Sequence, residues 1–337
     1  PEPPIPPIPF RLVAEPRALA PLLAAGRAHP EAALDTEADS MHHYYEKLCL
    51  VQLSVGGEHW VVDPLAEGLD LAPLMRLLEQ RSLILHGADY DLRMLRRACV
   101  FRPRRVLDTM LGAQLLGLPE IGLAAMVERV CGVALSKHGQ RADWSVRPLP
   151  ASLLAYAVDA TRYLAPVAEA LSAELAARGR LEWLEESCER LLAATAEEDP
   201  HALAARDDRV QPWRIKGGRN LTGRPAALLR ELWRWREAIA RRIDRPPFRV
   251  APNQILLDWA DWLVQNPAAT ADQMPDRPAW LRGGRLQSFE RAVLKALDLP
   301  PDQWPRPPEK NANGRRLTTE EEVRLKGLLR SRDAGLP

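Results

Sequence analysis

Two hydrophobic periods divide this chain. Between residues 31 and 62 the apolar positions alternate with polar ones or gather in short runs, as pleated strands require. EAALDTEADS, KLCLVQLSV and HWVVDP read as three strands, and Gly56-Gly57 sets a hairpin turn between the second and third. LAPLMRLLEQ changes to helical spacing, SLILHGA is a buried strand, DYDLRMLRRAC opens a helix directly after it, and RVLDT is one more short strand. From about Met110 to Arg180 nearly every segment has the helical period, including the long ASLLAYAVDATRYLAPVAEALSAELAARG. Strands first, with helices interleaved and then following, predict one α/β domain with a mixed sheet over residues 21–195.

Ahead of that domain, PEPPIPPIPF marks residues 1–20 as an extended proline-rich arm. Behind it, the acidic stretch ending in TAEEDPHA marks a linker over 196–212. GRPAALLRELWRWREAIARRID, PNQILLDWADWLVQ and LQSFERAVLKALDL are amphipathic helices joined by Pro- and Gly-rich segments, so residues 213–300 read as a second, all-helical domain. Residues 301–337 read as a further linker and the start of one more helix, RRLTTEEEVRLKGLLRSRD.

With 337 residues, each domain is long enough for its own core. Apolar residues at 46% and charged residues at 27% are the proportions of a soluble globular protein. No apolar run approaches the ~20 residues that span a bilayer, and no signal-peptide pattern precedes the first domain, so no membrane partner is expected. Cys49, Cys99, Cys131 and Cys188 are scattered without a CxxC pair, which indicates neither a zinc site nor a disulfide framework. A cytoplasmic protein with buried free thiols is the reading adopted. The net charge of +1 gives no general pull toward polyanions, but its distribution is uneven. Eleven Lys/Arg face three acids between Arg214 and Arg249, whereas Glu182 to Asp199 holds seven acids and one arginine.

The candidate chemistry starts at Asp35-Thr36-Glu37, where two carboxylates at i and i+2 of a strand share a face. Like charges that close repel unless a cation sits between them, and divalent metal is the usual solution. A lone D-x-E is weak, but this one ends an apolar strand, where α/β sheets place their sites. Asp91 lies just inside the helix after SLILHGA, at a second strand-to-helix junction where a carboxylate can converge. Asp89 is better placed to cap that helix, and His86 to serve as a hydrogen-bonded core residue at the strand end.

In this order, ALDTEADSMHHYYEKLCLVQLS, LILHGADYDLRMLRR with VLDT, and DWSVRPL leading into YAVDATRYL resemble the ribonuclease D family over roughly residues 30–195. That family consists of DEDD-type 3′-to-5′ exonucleases of the tyrosine subclass. The segment RELWRWREAIARRIDRPPFRVAPNQILLDWA resembles an HRDC domain, and the tail from Arg315 resembles the first helix of a second one. The fold this implies is a ribonuclease H-like exonuclease domain with a mixed sheet, followed by an all-α HRDC-like domain.

The resemblance further implies two divalent ions, Mg²⁺ or Mn²⁺, ~3.5–4 Å apart and clamping the attacking and leaving oxygens. Asp35 would bridge both, Glu37 would hold the nucleophile-side ion, Asp91 the leaving-group ion, and Tyr156 would orient the attacking water. The implied substrates are single-stranded RNA 3′ ends, with tRNA precursors among the candidates. HHYYEK offers His42, His43, Tyr44, Tyr45 and Lys47 as stacking and phosphate contacts, with His86 beside them; the competing reading is a solvated loop. Arg93, Arg96, Arg97, Arg102, Arg104 and Arg105 offer a basic face, or merely a solvated one. Trp233, Trp235, Trp259 and Trp262 fall at helical spacing within apolar stripes and are expected in a core.

One position departs from the family. Its spacing is Tyr-x-x-x-Asp-x-x-Tyr-Leu, and anchoring on Tyr156 or on Tyr163-Leu164 puts the fourth carboxylate at Ala160. Asp159 lies about 100° around the helix. Three readings compete: an engineered Asp-to-Ala change, a natural pseudoenzyme that keeps its nucleic-acid cleft, or a shifted helix that uses Asp159. The expected nucleophile-side ion is then weak or absent. The functional expectation is a 3′-to-5′ exoribonuclease impaired by Ala160. The alternatives are a non-catalytic RNA-binding scaffold and, since DEDD scaffolds serve both polymers, a DNA-directed exonuclease.

Overall fold

A computed structural model describes residues 9–136, 139–196, 211–270, 273–306, 318–320, 322–324 and 326–327. The chain divides into two compact units, Pro1–Ala205 and Arg206–Pro337.

The first unit is built on a six-stranded mixed sheet: β1 (Arg11–Val13), β2 (Glu31–Ala38), β3 (Leu48–Val55), β4 (Glu58–Val62), β5 (Ser82–Leu85) and β6 (Arg105–Asp108). Their spatial order is β1-β4-β3-β2-β5-β6. The hairpin of β3 and β4 turns on Gly56 (φ 56°) and Gly57 (φ 81°), the two positive values that a twisted two-residue loop demands. β2 is antiparallel to β3 but parallel to β5, and β5 is parallel to β6, so the strand ends that carry Glu37, Leu85 and Asp108 lie along one edge.

Helices cover both faces. α1 (Pro16–Ala28), α2 (Ala72–Leu78) and α3 (Asp89–Ala98) bury Leu22, Leu74, Met75, Leu92 and Leu95 against Leu34, Val51, Leu53, Trp60 and Leu83. On the other face α6 (Ala151–Arg162) sets Ala157 and Val158 against Leu50 and Val61, while α7 (Leu164–Ala177) sets Leu164 and Ala168 against Ala33 and Ile84. Buried on both faces, β3 needs the near-continuous apolar run LCLVQLSV. α4 (Thr109–Leu115), α5 (Leu123–Cys131) and α8 (Leu181–Ala196) complete the unit and share a core around Met126, Leu171, Leu175 and Leu184.

Three expectations change. Residues 1–20 are not an arm throughout: β1 pairs with β4, and α1 starts at Pro16, where a missing N–H costs the helix nothing. Residues 1–8 lie outside the described residues. The long helix from Ala151 breaks at Tyr163 (φ −100°, ψ −3°) because Pro166 has no N–H to donate to the Arg162 carbonyl. The stretch 132–136 and 139–150 is irregular rather than helical.

In the second unit α9 (Gly223–Ile243), α10 (Pro247–Val250), α11 (Asn253–Gln265) and α12 (Gly284–Leu297) enclose an aromatic core. Phe289 meets Trp235 and Trp259 edge-on at 5.2 and 5.4 Å, so those two tryptophans are core, as their spacing predicts, while Trp233 and Trp262 are half-buried. Most of the predicted linker 196–212 falls outside the described residues, and of the predicted last helix residues 319–320, 322–324 and 326–327 are helical.

Candidate active site

β2 is longer than its parallel partner. β5 pairs only with Glu31–Ala33, whereas the pairing with β3 continues to Ala38, with a bulge between Glu37 and Ala38. The last residues of β2 therefore have backbone groups with no strand to meet on the β5 side. α3 supplies the partner: the Thr36 amide and hydroxyl both donate to Asp91 Oδ1, at 3.0 and 2.6 Å. That pair of bonds satisfies a buried amide and brings Asp91 (6% exposed) to the strand end that carries Asp35 and Glu37. Asp35 and Glu37 project from the opposite face to Thr36 and keep some solvent contact.

The three carboxylates are electrostatically strained. Burial first, and then the charges of Asp91 and Glu37, raise the pKa of Asp35 well above its ordinary value. Burial and Asp91 push Glu37 up to about 8. Burial lifts Asp91 to about 6, although the bonds from Thr36 oppose it. Among the described residues none of the three has an ion pair with Lys, Arg or His, so no protein cation relieves the repulsion. No three described His, Cys, Asp or Glu side chains close on one point tightly enough to hold an ion as they stand.

α6 covers this face. Trp144 lies beside the Tyr156 ring, centroids 6.0 Å apart, and a Cβ on Gly139 would come within 2.3 Å of that ring, so a larger residue there would displace Tyr156. Burial raises the Tyr156 hydroxyl to about 12, and the charges of Glu37 and Asp35 contribute to it. Ala160, one turn on, brings only a methyl group. Asp159 has different neighbours: Arg162 Nη1 at 3.2 Å, with His59 of β4 close enough to act on its pKa. The Asp159 carboxylate is thus committed to the ion pair on its own helix.

The other sequence candidates are engaged in building the loop after β2. Buried Asp39 accepts from the Lys47 amide at 2.7 Å and pairs with Lys47 Nζ at 2.6 Å. His42 Nε2 meets the Arg141 carbonyl at 3.1 Å, and His43 Nε2 meets Ser145 Oγ at 3.3 Å, which ties the loop to residues 141–145. Tyr44 and Tyr45 contact each other edge-on at 5.1 Å, and Tyr45 is 57% exposed. His86 shares a hydrogen bond of 2.9 Å with Thr109 Oγ1, and burial lowers its pKa, as suits a core histidine. Arg93 and Arg96 do not form an open basic face; they donate to the Ala194 and Leu192 carbonyls of α8. A cavity of about 860 Å³ lies between α2, α3 and the loop ending at Lys47, and no carboxylate of the trio lines it.

One reading is corrected here. Asp89 does not cap α3: it is the first helical residue and pairs with Arg93 at 3.1 Å, while the cap position is Ala88. The capping acid is Asp108, at the end of β6. Its oxygens accept from the amides of Gly87 (2.9 Å), Ala88 (2.8 Å), Met110 (2.8 Å) and Leu111 (3.3 Å). One buried side chain thereby fixes both the turn that launches α3 and the first turn of α4. Its only sequence signal is the segment VLDT, where an acid directly precedes a helix.

This arrangement has known counterparts. Residues 10–176 match the 3′-5′ exonuclease family and residues 226–269 the HRDC domain, so the class is an exonuclease with a helical HRDC appendage. Ribonuclease D of Xanthomonas oryzae pv. oryzae is 33% identical over 83% of this chain and 68% of its own length; that of Pseudomonas paraeruginosa is 33% identical over 83% and 72%. The crystal structure of Escherichia coli RNase D, an exoribonuclease involved in structured RNA processing, superposes with a TM-score of 0.68 at 29% identity, over 95% of this chain and 83% of that one. The chain belongs to the ribonuclease D family.

Proposed function

We propose that this chain is a 3′-to-5′ exoribonuclease of the ribonuclease D type that binds single-stranded RNA 3′ ends and cleaves them poorly, because α6 presents Ala160 where a fourth carboxylate is needed. The observation that carries the impairment is the pairing of Asp159 with Arg162, which leaves the neighbouring acid unable to substitute. RNA as substrate is carried over from the ribonuclease D relatives, and tRNA precursors are the narrower candidates.

Asp35, Glu37 and Asp91 suit a hard divalent cation: they are oxygen donors, they repel one another, and no cation among the described residues pairs with them. They are the residues that would hold Mg²⁺ or Mn²⁺. Bound there, divalent ions would lower the pKa of a water and neutralise charge on the phosphate. The chain's own residues do the rest. Thr36 holds one oxygen of Asp91 through its amide and hydroxyl, which fixes that carboxylate and would leave its other oxygen for an ion. Tyr156, protonated throughout the physiological range, has a hydroxyl able to orient a water beside Glu37 and Asp35. Attack by that water at the phosphorus of the last nucleotide forms a new P–O bond and breaks the bond to the 3′ oxygen of the preceding nucleotide; the water gives up one proton, the leaving oxygen takes one up, and the products are a nucleoside 5′-monophosphate and a shortened chain with a 3′ hydroxyl.

The test is cleavage of end-labelled single-stranded RNA with Mn²⁺ by the chain as it stands, by Ala160→Asp and by Asp159→Ala. Ala160→Asp should restore cleavage with little change in RNA affinity, and Asp159→Ala should change neither. If the chain degrades RNA as fast as Ala160→Asp and Asp159→Ala abolishes that activity, Asp159 is the fourth carboxylate. Binding without cleavage by Ala160→Asp as well would favour the scaffold reading.

A further inference from the structure

Gln52 is fully buried in the middle of β3, and among the described residues neither its amide nitrogen nor its amide oxygen has a hydrogen-bond partner. Buried polar groups are nearly always paired, so an orphaned amide calls for a reason. Its neighbours supply one.

The strand register fixes where this amide stands. Across the antiparallel pair Glu37 opposes Leu50, Asp35 opposes Gln52 and Ala33 opposes Ser54. Directly opposed residues project to the same face, so Gln52 stands beside the Asp35 carboxylate. Leu50, on that same face, packs on Ala157 and Val158, which makes it the face that α6 covers.

α6 is fixed over this face at two levels. Thr161 Oγ1 lies 2.8 Å from Ser54 Oγ, at the Ala33 level. Tyr156 feels the charges of Glu37 and Asp35, at the other end. The Asp35–Gln52 pair lies between these levels, and so, along the helix, do Ala157 and Ala160. The polar amide therefore faces a stretch of helix that offers it two methyl groups.

We propose that Gln52 is a positioning residue for the side chain at 160: its amide donates to a carboxylate in that slot and holds it beside Asp35, and Ala160 leaves that amide without its partner. This rests on the reading of position 160 as the fourth-carboxylate slot. Gln52 touches neither ion nor RNA; it acts through the residue at 160.

A double-mutant cycle tests it, using the full chain, Ala160→Asp, Gln52→Leu and the double variant, with Mn²⁺ binding by calorimetry and melting without metal as readouts. In the chain as it stands, Gln52→Leu removes an unpaired amide and should raise the melting temperature. In the Ala160→Asp background the same change removes a hydrogen bond and should lower it. Ala160→Asp should tighten Mn²⁺ binding about tenfold with Gln52 in place and by about threefold or less without it. Should Gln52→Leu fail to fold, Gln52→Met, of similar length and flexibility, reports the same sign reversal. Melting shifts of one sign in both backgrounds, or an equal gain in Mn²⁺ affinity, overturn the role of Gln52 and leave the reading of position 160 standing. No gain in Mn²⁺ affinity in either background overturns that reading, and this inference with it.

Discussion

Replacing Thr36 with valine removes one hydroxyl and almost no volume, and so isolates the bond that ties α3 to β2. The hydroxyl donates to Asp91 Oδ1 at 2.6 Å, in a place where Thr36 is 7% and Asp91 6% exposed. Hydrogen bonds to charged groups contribute roughly 1.5–3 kcal/mol. Asp91 Oδ1 retains the Thr36 amide at 3.0 Å, so it is not orphaned, and the lower end, about 1.5 kcal/mol, applies. For a unit of this size that is a fall of about 3–6 °C in the melting transition. Calorimetry of the full chain without divalent metal measures it. Since the hydroxyl acts through Asp91, Thr36→Val and Asp91→Asn should also be non-additive by about 1 kcal/mol. A melting shift under 1 °C, or additivity within about 0.5 kcal/mol, would refute the idea that this bond carries the α3–β2 junction.

Asp108→Asn sets an amide N–H₂ against one of the four backbone donors, and should cost about 2–3 kcal/mol in denaturant unfolding; a loss below about 0.5 kcal/mol would argue against its double cap. In the second unit Glu231, 3% exposed, faces Lys295 Nζ at 2.8 Å and Arg234 Nη1 at 2.7 Å. Burial pushes its carboxyl up, but the Lys295 bond and the Arg234 and Arg230 charges outweigh it, and its pKa lies below the ordinary 4.5. A depressed acid stabilises above its unfolded pKa and loses that contribution as pH falls through its folded one. Glu231→Gln should therefore destabilise by about 1 kcal/mol from pH 6 to 8, and the gap between the two chains should shrink as pH falls below the ordinary 4.5 and on through the lower folded value; a gap that widens in acid would reverse the sign of this argument. Removing residues 210–337 takes away the basic stretch of the second unit, so RNA affinity should fall and its salt slope flatten by about 0.7 for each phosphate that this stretch neutralises. An unchanged slope in a salt titration would place the phosphate-binding cations elsewhere.

Several features of the candidate site could be read from the chain because they depend on local period. The shared face of Asp35 and Glu37 follows from strand geometry at i and i+2, and the hairpin follows from two glycines that tolerate positive φ. The placement of Ala160 one turn beyond Tyr156 follows from the helical period of α6. Where the reading failed, the cause was a competing local rule. Pro166 outweighed the continuous apolar stripe of Ala151–Gly179, and a three-residue strand among prolines had too little length to register.

The sequence by itself determined most of the strands and helices, the order of the motifs and the shared face of Asp35 and Glu37, since each depends on residues a few places apart. Only the tertiary structure decided what those residues meet. Asp91 reaches β2 because β5 stops short and leaves the Thr36 amide open, a fact about two strands about 50 residues apart. Asp108 rather than Asp89 caps α3 because β5 and β6 end side by side. Gln52 stands beside Asp35, and Asp159 beside Arg162 and His59, because the register and the helix above the sheet put them there. Burial and mutual repulsion then set the charge of the site, and both depend on distances that no local period encodes.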